Sequence, residues 1–530
     1  MQLDRLLSHL TYESVQGSQQ REVTDICYHS ARVEHGSLFV CLKGFRTDGH
    51  EYLPEVLKSG AQTIVIERSV AVRMDEEILL YTKNFCMRMS GVIGQDVTVI
   101  LVEDTRLALA ELSAAFFDYP AKKLRMVGIT GTKGKTTTAY LTASILREAG
   151  HRVGMIGTIA ISDGVSEIPA VHTTPESYEV QKYLADMVKN GCDCCVMEVS
   201  SQGLKMQRTA GIWYDIGVFL NIEPDHIGEG EHASFAEYLM CKSMLFRQCS
   251  LGIANGDDVH TDKILMGHTC LVETFSMKYP AMVTAEEPQF SMVKGKLYGE
   301  FLLCRGGKSL PLRMQLPGLF NIYNALAAVS VALQFGATED VIKRGLLRAR
   351  VPGRCENVSP SEQYVLLIDY AHNEMSLKNL LEMLRGFLPR RLVVLFGCGG
   401  NRSKLRRGRM GETAGHLADL AILTSDNPRW EEPERILDDI EDGIRGTGGA
   451  YVRIPDRREA VAYAIKNAEE GDIIVLAGKG HEAYQEIAGE KYPMSEYELV
   501  ADAMSSMRET EQIADAANLM SETDQITEKD

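Results

Sequence analysis

Short apolar runs broken by polar turns recur along the chain, and their spacing predicts the elements. SLFVCLKG at 37–44 and AQTIVIE at 61–67 are unbroken apolar stretches of strand length, with a turn and helix pattern between them at 47–61. LRMVGITGTKGKTTTAYLTASILREAG at 124–150 runs from strand to glycine loop to amphipathic helix. CCVMEVSS at 194–201 and WYDIGVFLNI at 213–222 are further strands, with helical patterns between. From residue 351 onward YVLLIDYAH (364–372), RLVVLFGCGG (391–400), LAILTSDNPR (420–429) and DIIVLAGKGHE (472–482) each run into a polar loop. Continuous apolar runs alternating with helices predict α/β modules with mostly parallel sheets covered on both faces. Three modules are expected, at 1–105, 106–350 and 351–530. The stretch 256–315 carries no clear signal, and 511–530 reads as a frayed helix or a disordered tail.

A chain of 530 residues with 45% hydrophobic and 24% charged positions is a globular composition of about three domains. Its net charge of −17 supplies no general field for nucleic acid or anionic membrane. No apolar run approaches about 18 residues, so no membrane-spanning helix is expected. The start lacks a signal-peptide pattern, and the twelve cysteines are scattered. A cytoplasmic, monomeric enzyme with reduced thiols is the expectation.

The strongest chemical signal is Gly131-Thr132-Lys133-Gly134-Lys135-Thr136, followed by Thr137, between a strand and a helix. Glycines let backbone N–H groups face a phosphate, the helix amino end adds its dipole, Lys135 reaches terminal phosphates, and the Thr136 hydroxyl can ligate Mg²⁺. The spacing from Gly128 to Gly134 is one residue longer than the usual phosphate-loop pattern. Glu198 and Asp225-His226 end strands of the same module, where a carboxylate could hold the ion. His232 in the next loop is a further candidate ligand, although magnesium prefers oxygen. Lys242 lies in the apolar helical pattern YLMCKSMLF; burial would make its amine neutral and reactive, and a snorkelling lysine is the plainer expectation. In the third module, Arg402, Lys404, Arg406, Arg407 and Arg409 form a basic patch in the glycine-rich segment 399–411. Arg429 in DNPR can clamp a carboxylate, and Glu482 in GKGHE can pair with an ammonium. Together they suit an amino-acid zwitterion.

Read together, GTKGKTTT, HTTPES (172–177), EVSSQGL (198–204), PDH (224–226), LPGLFNIYNALAA (316–328), VPGR (351–354), DYAHNEMSLKNLL (369–381), FGCGGNR (396–402), SDNPR (425–429) and GKGHE resemble the Mur ligase family over nearly the whole chain. The resemblance implies the three-domain architecture of that family: a UDP-sugar domain, a central phosphate-loop ATPase domain and a Rossmann-like carboxyl domain. It implies an ATP- and Mg²⁺-dependent amide ligase that adds a third amino acid to UDP-N-acetylmuramoyl-L-alanyl-D-glutamate through an acyl phosphate. By resemblance, Ser30, Lys43, Asp48 and His50 serve the uridine diphosphate, and Thr173, Thr174, Ser200 and Arg208 the muramoyl peptide. Lys135, Thr136, Glu198 and His226 serve ATP and its metal, with Lys242 as a carbamylated metal ligand. Asn321, Asn324, Arg354, Asp369 and His372 serve the nucleotide. Arg402, Asp426, Asn427, Arg429, Gly478 and Glu482 line the amino-acid pocket, and DNPR is the form associated with meso-diaminopimelate. Gln202 stands where the family has histidine in EVSSH, and the loop IGEGEH (227–232) is longer than usual, with Gly228 at the place of an aspartate. The alternatives are addition of lysine or another amino acid, a modified or non-muropeptide acceptor, and a non-catalytic ATP-binding relative.

Overall fold

The computed structural model describes residues 1–44, 47–68, 97–228 and 230–509. The expected tail at 511–530 lies outside the described residues. Two compact units emerge, one formed by 1–284 with 323–342 and the other by 285–322 with 343–530.

The first unit contains two sheets. In the amino-terminal sheet, Ile26–Cys27, Leu38–Val40, Thr63–Glu67 and Thr98–Val102 pair in parallel, and Ser14–Gln16 adds an antiparallel edge. Its core runs past residue 105, the boundary expected from the sequence. Ala108, Leu109, Leu112 and Ala115 of helix Thr105–Phe116 bury against Leu3, Leu6, Val40, Val65 and Ile100. Asp104 caps that helix by accepting from the backbone N–H groups of Arg106 and Leu107.

The second sheet of this unit is parallel in the order Leu271–Ser276, Cys249–Asn255, Tyr214–Phe219, Arg125–Thr130, Cys194–Glu198, Val153–Ile156, with a short antiparallel extension at Ala160–Ser162 and Glu167–Pro169. Strand Arg125–Thr130 is therefore central. Its register places Ile129 beside Glu198 and Thr130 beside Phe219, so the loop after residue 130 and the loops after 198 and 219 leave the same end of the sheet. Ligands collect there in such sheets. Cys194 and Cys195 are fully buried strand residues, and the described cysteines are free thiols.

In the second unit the parallel order is Val365–Asp369, Ile473–Ala477, Leu392–Phe396, Leu420–Leu423, Tyr451–Arg453, with Glu356–Asn357 antiparallel at one edge. Apolar residues cover both faces, which explains why these strands lack alternation. Loops 370–373, 397–403, 424–430 and 478–482 all leave the carboxyl ends. A hairpin, Tyr484–Ile487 with Glu490–Pro493, follows the last of them. Within the silent stretch 256–315, Lys296–Arg305 and Lys308–Met314 form a long antiparallel hairpin with alternating burial.

The basic segment 399–411 differs from its expectation as a glycine-rich patch. From Lys404 it is helix, Lys404–Leu417. Gly411 is there for close packing, since a Cβ on it would lie 2.1 Å from the Ile440 carbonyl oxygen in helix Pro433–Arg445. Arg407 points inward, 1% exposed, and pairs with Glu431 and Asp439 at 2.8 Å each. Arg409 faces Glu374. The charges of this segment are thus divided among structural pairs and the loop rim.

Candidate functional site

The phosphate loop is shaped by its neighbours. Gly134 has φ +86°, and a Cβ there would meet Asn324 Oδ1 at 2.3 Å. Asn324 Oδ1 also accepts from the Thr138 hydroxyl. The Lys133 N–H donates to Asn221 Oδ1, Asn221 Nδ2 returns a bond to the Lys133 carbonyl, and Thr132 Oγ1 meets Tyr238 OH at 2.9 Å. Lys133 Nζ lies 3.3 Å from Asp225. Lys135 begins helix Lys135–Glu148 and folds over the loop, donating to the Gly131 and Thr132 carbonyls at 2.9 and 3.2 Å. Thr137 is buried in the first turn.

Glu198 ends its strand 1% exposed. Its Oε2 accepts from the Thr136 hydroxyl at 3.0 Å and the Thr158 hydroxyl at 2.9 Å; its Oε1 accepts from the Thr158 N–H at 2.8 Å. Thr158 was missed in the sequence, where a lone Gly-Thr after a strand carries no signal. Gly157 is required for the approach, because a Cβ there would lie 2.4 Å from Glu198 Oε1. Thr173, Thr174, Ser200 and Arg208 follow nearby in the same network. Thr173 Oγ1 meets Thr158 Oγ1 at 3.0 Å, and Thr174 Oγ1 bonds the Glu198 carbonyl and the Ser200 N–H. Ser200 caps helix Ser201–Lys205, and Arg208 reaches Glu176 and the Thr174 carbonyl.

Lys242 is neither half-buried nor snorkelling. It is 1% exposed, and its Nζ donates to the Gly131 carbonyl at 2.8 Å, 4.6 Å from the Tyr238 ring centre. Helix Phe235–Ser243 aims its last turn beneath the phosphate loop, so the lysine stem runs inward. Burial first, and the Lys135 charge second, push its pKa well below the usual lysine value.

The histidines take other places. His226, at φ +54°, is half-exposed and faces Glu231 at 3.1 Å. His232 is wholly buried, with Nε2 2.9 Å from Ser201 Oγ and Nδ1 3.8 Å from Glu237. Burial holds it below the usual histidine pKa. Gln202, beside Ser201, keeps a buried Nε2 without a partner among the described residues. No three His, Cys, Asp or Glu groups cluster as metal ligands among the described residues. The donors beside the loop are the Thr136 hydroxyl and the Glu198 carboxylate. An oxygen set of this kind fits a hard cation completed by phosphate and water, and not a histidine-rich centre.

In the amino-terminal sheet, Lys43 and Asp48 close a small loop through a β-bridge. Asp48 accepts from the His50 N–H and from Nδ1 at 2.5 Å, and His50 Nε2 accepts from the Glu67 N–H. These bonds fix the imidazole tautomer. Ser30 opens the short helix Ser30–Arg32.

In the second unit, Asp369 is half-buried and accepts from the Cys355 and Ala371 N–H groups. Burial raises its pKa. His372 bonds the Tyr370 carbonyl, Arg354 stacks on the Tyr370 ring, and Asn321 Nδ2 donates to the Pro317 carbonyl. Gly478, at φ +108°, would place a Cβ 3.0 Å from Asp426. Arg429 donates from Nε to Glu486 at 3.0 Å and from Nη1 to the Gly400 carbonyl at 2.8 Å. Asn427 Nδ2 donates to Glu482 Oε2 at 3.1 Å, and the Tyr370 hydroxyl donates to Oε1 at 3.2 Å. Arg402 lies exposed on the adjoining rim. An arginine fork and a half-buried carboxylate are therefore tied to one loop. Glu486 and Lys479 complete this framework and were not singled out in the sequence.

The Mur ligase middle domain model matches residues 129–332, the glutamate ligase domain model 353–480, and the Mur ligase family catalytic domain model 22–117. A UDP-N-acetylmuramoyl-L-alanyl-D-glutamate–2,6-diaminopimelate ligase of Clostridium perfringens (strain 13 / Type A) is 38% identical over 512 residues, covering 95% of this chain and 99% of the relative. The enzyme of the same name from Caldanaerobacter subterraneus subsp. tengcongensis is 38% identical over 506 residues, with the same coverage. A solved structure of such a ligase superposes with a TM-score of 0.66 at 27% identity, covering 96% of this chain and 99% of that one. A folylpolyglutamate synthase from Mycobacterium tuberculosis shares the fold, with a TM-score of 0.55 at 18% identity over 70% of this chain and 92% of that one. No described helix is long and apolar enough to cross a membrane.

Proposed function

Because the chain belongs to the Mur ligase family, we propose that it joins meso-diaminopimelate to the D-glutamyl carboxylate of UDP-N-acetylmuramoyl-L-alanyl-D-glutamate, with ATP cleaved to ADP and phosphate. The observation that carries the amino-acid assignment is the loop 426–429, which holds an arginine fork and is bonded to a carboxylate. That is the receptor an amino-acid centre at the far end of diaminopimelate needs, and lysine has no carboxylate there.

The reaction begins when a D-glutamyl carboxylate oxygen attacks the γ-phosphorus of ATP and ADP leaves. Lys135 and the loop N–H groups neutralise charge on the transferring phosphoryl group. Thr136 and Glu198 would hold magnesium, which supplies further charge neutralisation when bound. The amine of the incoming amino acid then attacks the acyl carbon. The tetrahedral adduct expels phosphate, the amine loses a proton, and an amide remains. Thr173, Thr174 and Ser200, next to Glu198, and Arg208, bonded to the Thr174 carbonyl, would orient the peptide carboxylate, and Lys43, Asp48 and His50 would form the uridine diphosphate side.

Lys242 is the residue we assign to carbamylation. Its buried amine, held well below the usual lysine pKa, can add CO₂ from its neutral form, forming an N–C bond and releasing a proton, which replaces a buried amine with a carboxylate beside Gly131. The test of the whole reading is product mass. Given UDP-muramoyl dipeptide, ATP and equal amounts of diaminopimelate, lysine and ornithine, the protein should form the diaminopimelate product. A lysine product overturns the reading of DNPR. No product overturns the acceptor assignment and directs attention to the 227–232 loop.

A further inference from the structure

Lys479 stands between the two poles of the amino-acid pocket and has no path to solvent, being 0% exposed. Its Nζ donates to Asn427 Oδ1 at 2.9 Å and to Glu482 Oε2 at 2.8 Å. An ammonium only donates, so the amide oxygen of Asn427 must face it. That turns Asn427 Nδ2 toward Glu482. The same amide oxygen accepts the Glu486 N–H at 2.9 Å, and the Glu486 carboxylate holds Arg429 Nε. One buried cation thus fixes one amide, and that amide fixes the arginine loop on one side and the carboxylate on the other.

We propose that Lys479 is the positioning residue that holds the Glu482 carboxylate in place as the anionic receptor for a substrate ammonium, through the same Asn427 amide that ties in the Arg429 loop. The proposal rests on the reading of this pocket as the amino-acid site. Lys479 is too deeply enclosed to touch the substrate; it acts through Glu482.

Electrostatics gives the proposal a distinctive consequence. Burial alone pushes the Glu482 carboxyl up, and the Lys479 charge and hydrogen bond are the first influences that bring it below the usual glutamate value, ahead of Asn427 and Tyr370. With Lys479 neutralised, burial remains and its main opponent is gone, so the Glu482 carboxyl would move up and keep its proton to higher pH than in the wild type. A protonated carboxyl is a poor partner for an ammonium. The other groups facing this corner are His481, Tyr370, Tyr484 and Arg354. Burial, assisted by Arg354, lowers His481 to about 4. Burial and the Glu482 charge raise Tyr370 to about 12. Neither titrates between pH 6 and 8.5.

The test compares KM for diaminopimelate in the full chain and in Lys479→Met from pH 6 to 8.5. The ratio of variant to wild-type KM should be about tenfold or more at the acid end of this range and should fall as pH rises, as the raised Glu482 carboxyl gives up its proton. KM for ATP should stay within about twofold. Lys479→Gln, which keeps a donor for Asn427, repeats the test should the methionine variant not fold. A ratio that does not change with pH, a parallel rise in KM for ATP, or failure of both variants to fold would overturn the proposal in favour of a structural lysine. Wild type that ignores diaminopimelate would overturn the functional reading instead. The KM comparison is then made with whichever amino acid the wild type incorporates, so the two failures separate.

Discussion

Two lysines meet at one carbonyl oxygen. Lys135 and Lys242 both donate to Gly131, at 2.9 and 2.8 Å. Burial first, and the opposing Lys135 charge second, lower the Lys242 pKa. Of the two, Lys242 is the one whose charged form is disfavoured, which suits its amine for CO₂. Lys135→Ala should cut ATP turnover by roughly 100- to 1000-fold, the usual effect of removing a donor from a transition-state site, with unfolding curves unchanged. Lys242→Ala should be nearly inactive and partly restored by a short carboxylic acid, and ¹³CO₂ should label the wild-type lysine and no other. An unlabelled, active wild type would end the carbamylation idea. At this scale the phosphate loop was readable because strand, glycines and helix are all local. Whether Lys242 reached water was not, because the answer depends on the Gly131 carbonyl, 111 positions away in the chain.

Helices carry two less legible features. Glycine reads locally as a turn residue, yet Gly411 lies inside a helix where another backbone presses on it. The contact partner Ile440 is what makes the glycine necessary, and sequence proximity does not reveal it. Gly411→Ala should cost about 1–3 kcal/mol as an overpacked site, read as a lower urea midpoint at unchanged slope. Helix Thr105–Phe116 is the second case. The apolar pattern ends a module near 105, but Leu109 and Leu112 are fully buried in the amino-terminal core. Each such leucine stabilises by about 1.5–3 kcal/mol when buried. A fragment ending at 105 should therefore be unfolded by circular dichroism, and one ending at 117 should show cooperative melting. Equal behaviour of the two would refute the placement of this helix in the first core.

Across the whole molecule, the candidate chemistry is divided between the two units. Lys135, Thr136 and Glu198 belong to one, and Arg429, Asn427 and Glu482 to the other. Both motif sets were legible as words at strand ends, whereas Thr158 and Glu486, which hold the named residues in place, lie outside those words, and the part Lys479 plays inside GKGHE depends on Asn427, 52 positions away. The division predicts that the half-reactions can be lost separately. Arg429→Ala should still form acyl phosphate from UDP-muramoyl dipeptide and ATP, trapped as the hydroxamate, while Lys135→Ala should not. What Arg429→Ala should lose is choice of amino acid. Its Nε and Nη1 are already held by Glu486 and Gly400, which fixes the plane of the guanidinium. A carboxylate in that plane gains a charge-assisted bond of roughly 1.5–3 kcal/mol. That is roughly ten- to hundredfold in kcat/KM for diaminopimelate over lysine, and an ammonium set against arginine widens it. Arg429→Lys should keep the charge but lose the fork, so its preference should fall between wild type and alanine. If wild type and Arg429→Ala discriminate equally in direct competition, specificity lies elsewhere in the pocket, and the pairing of Arg429 with Glu486 is a structural contact alone.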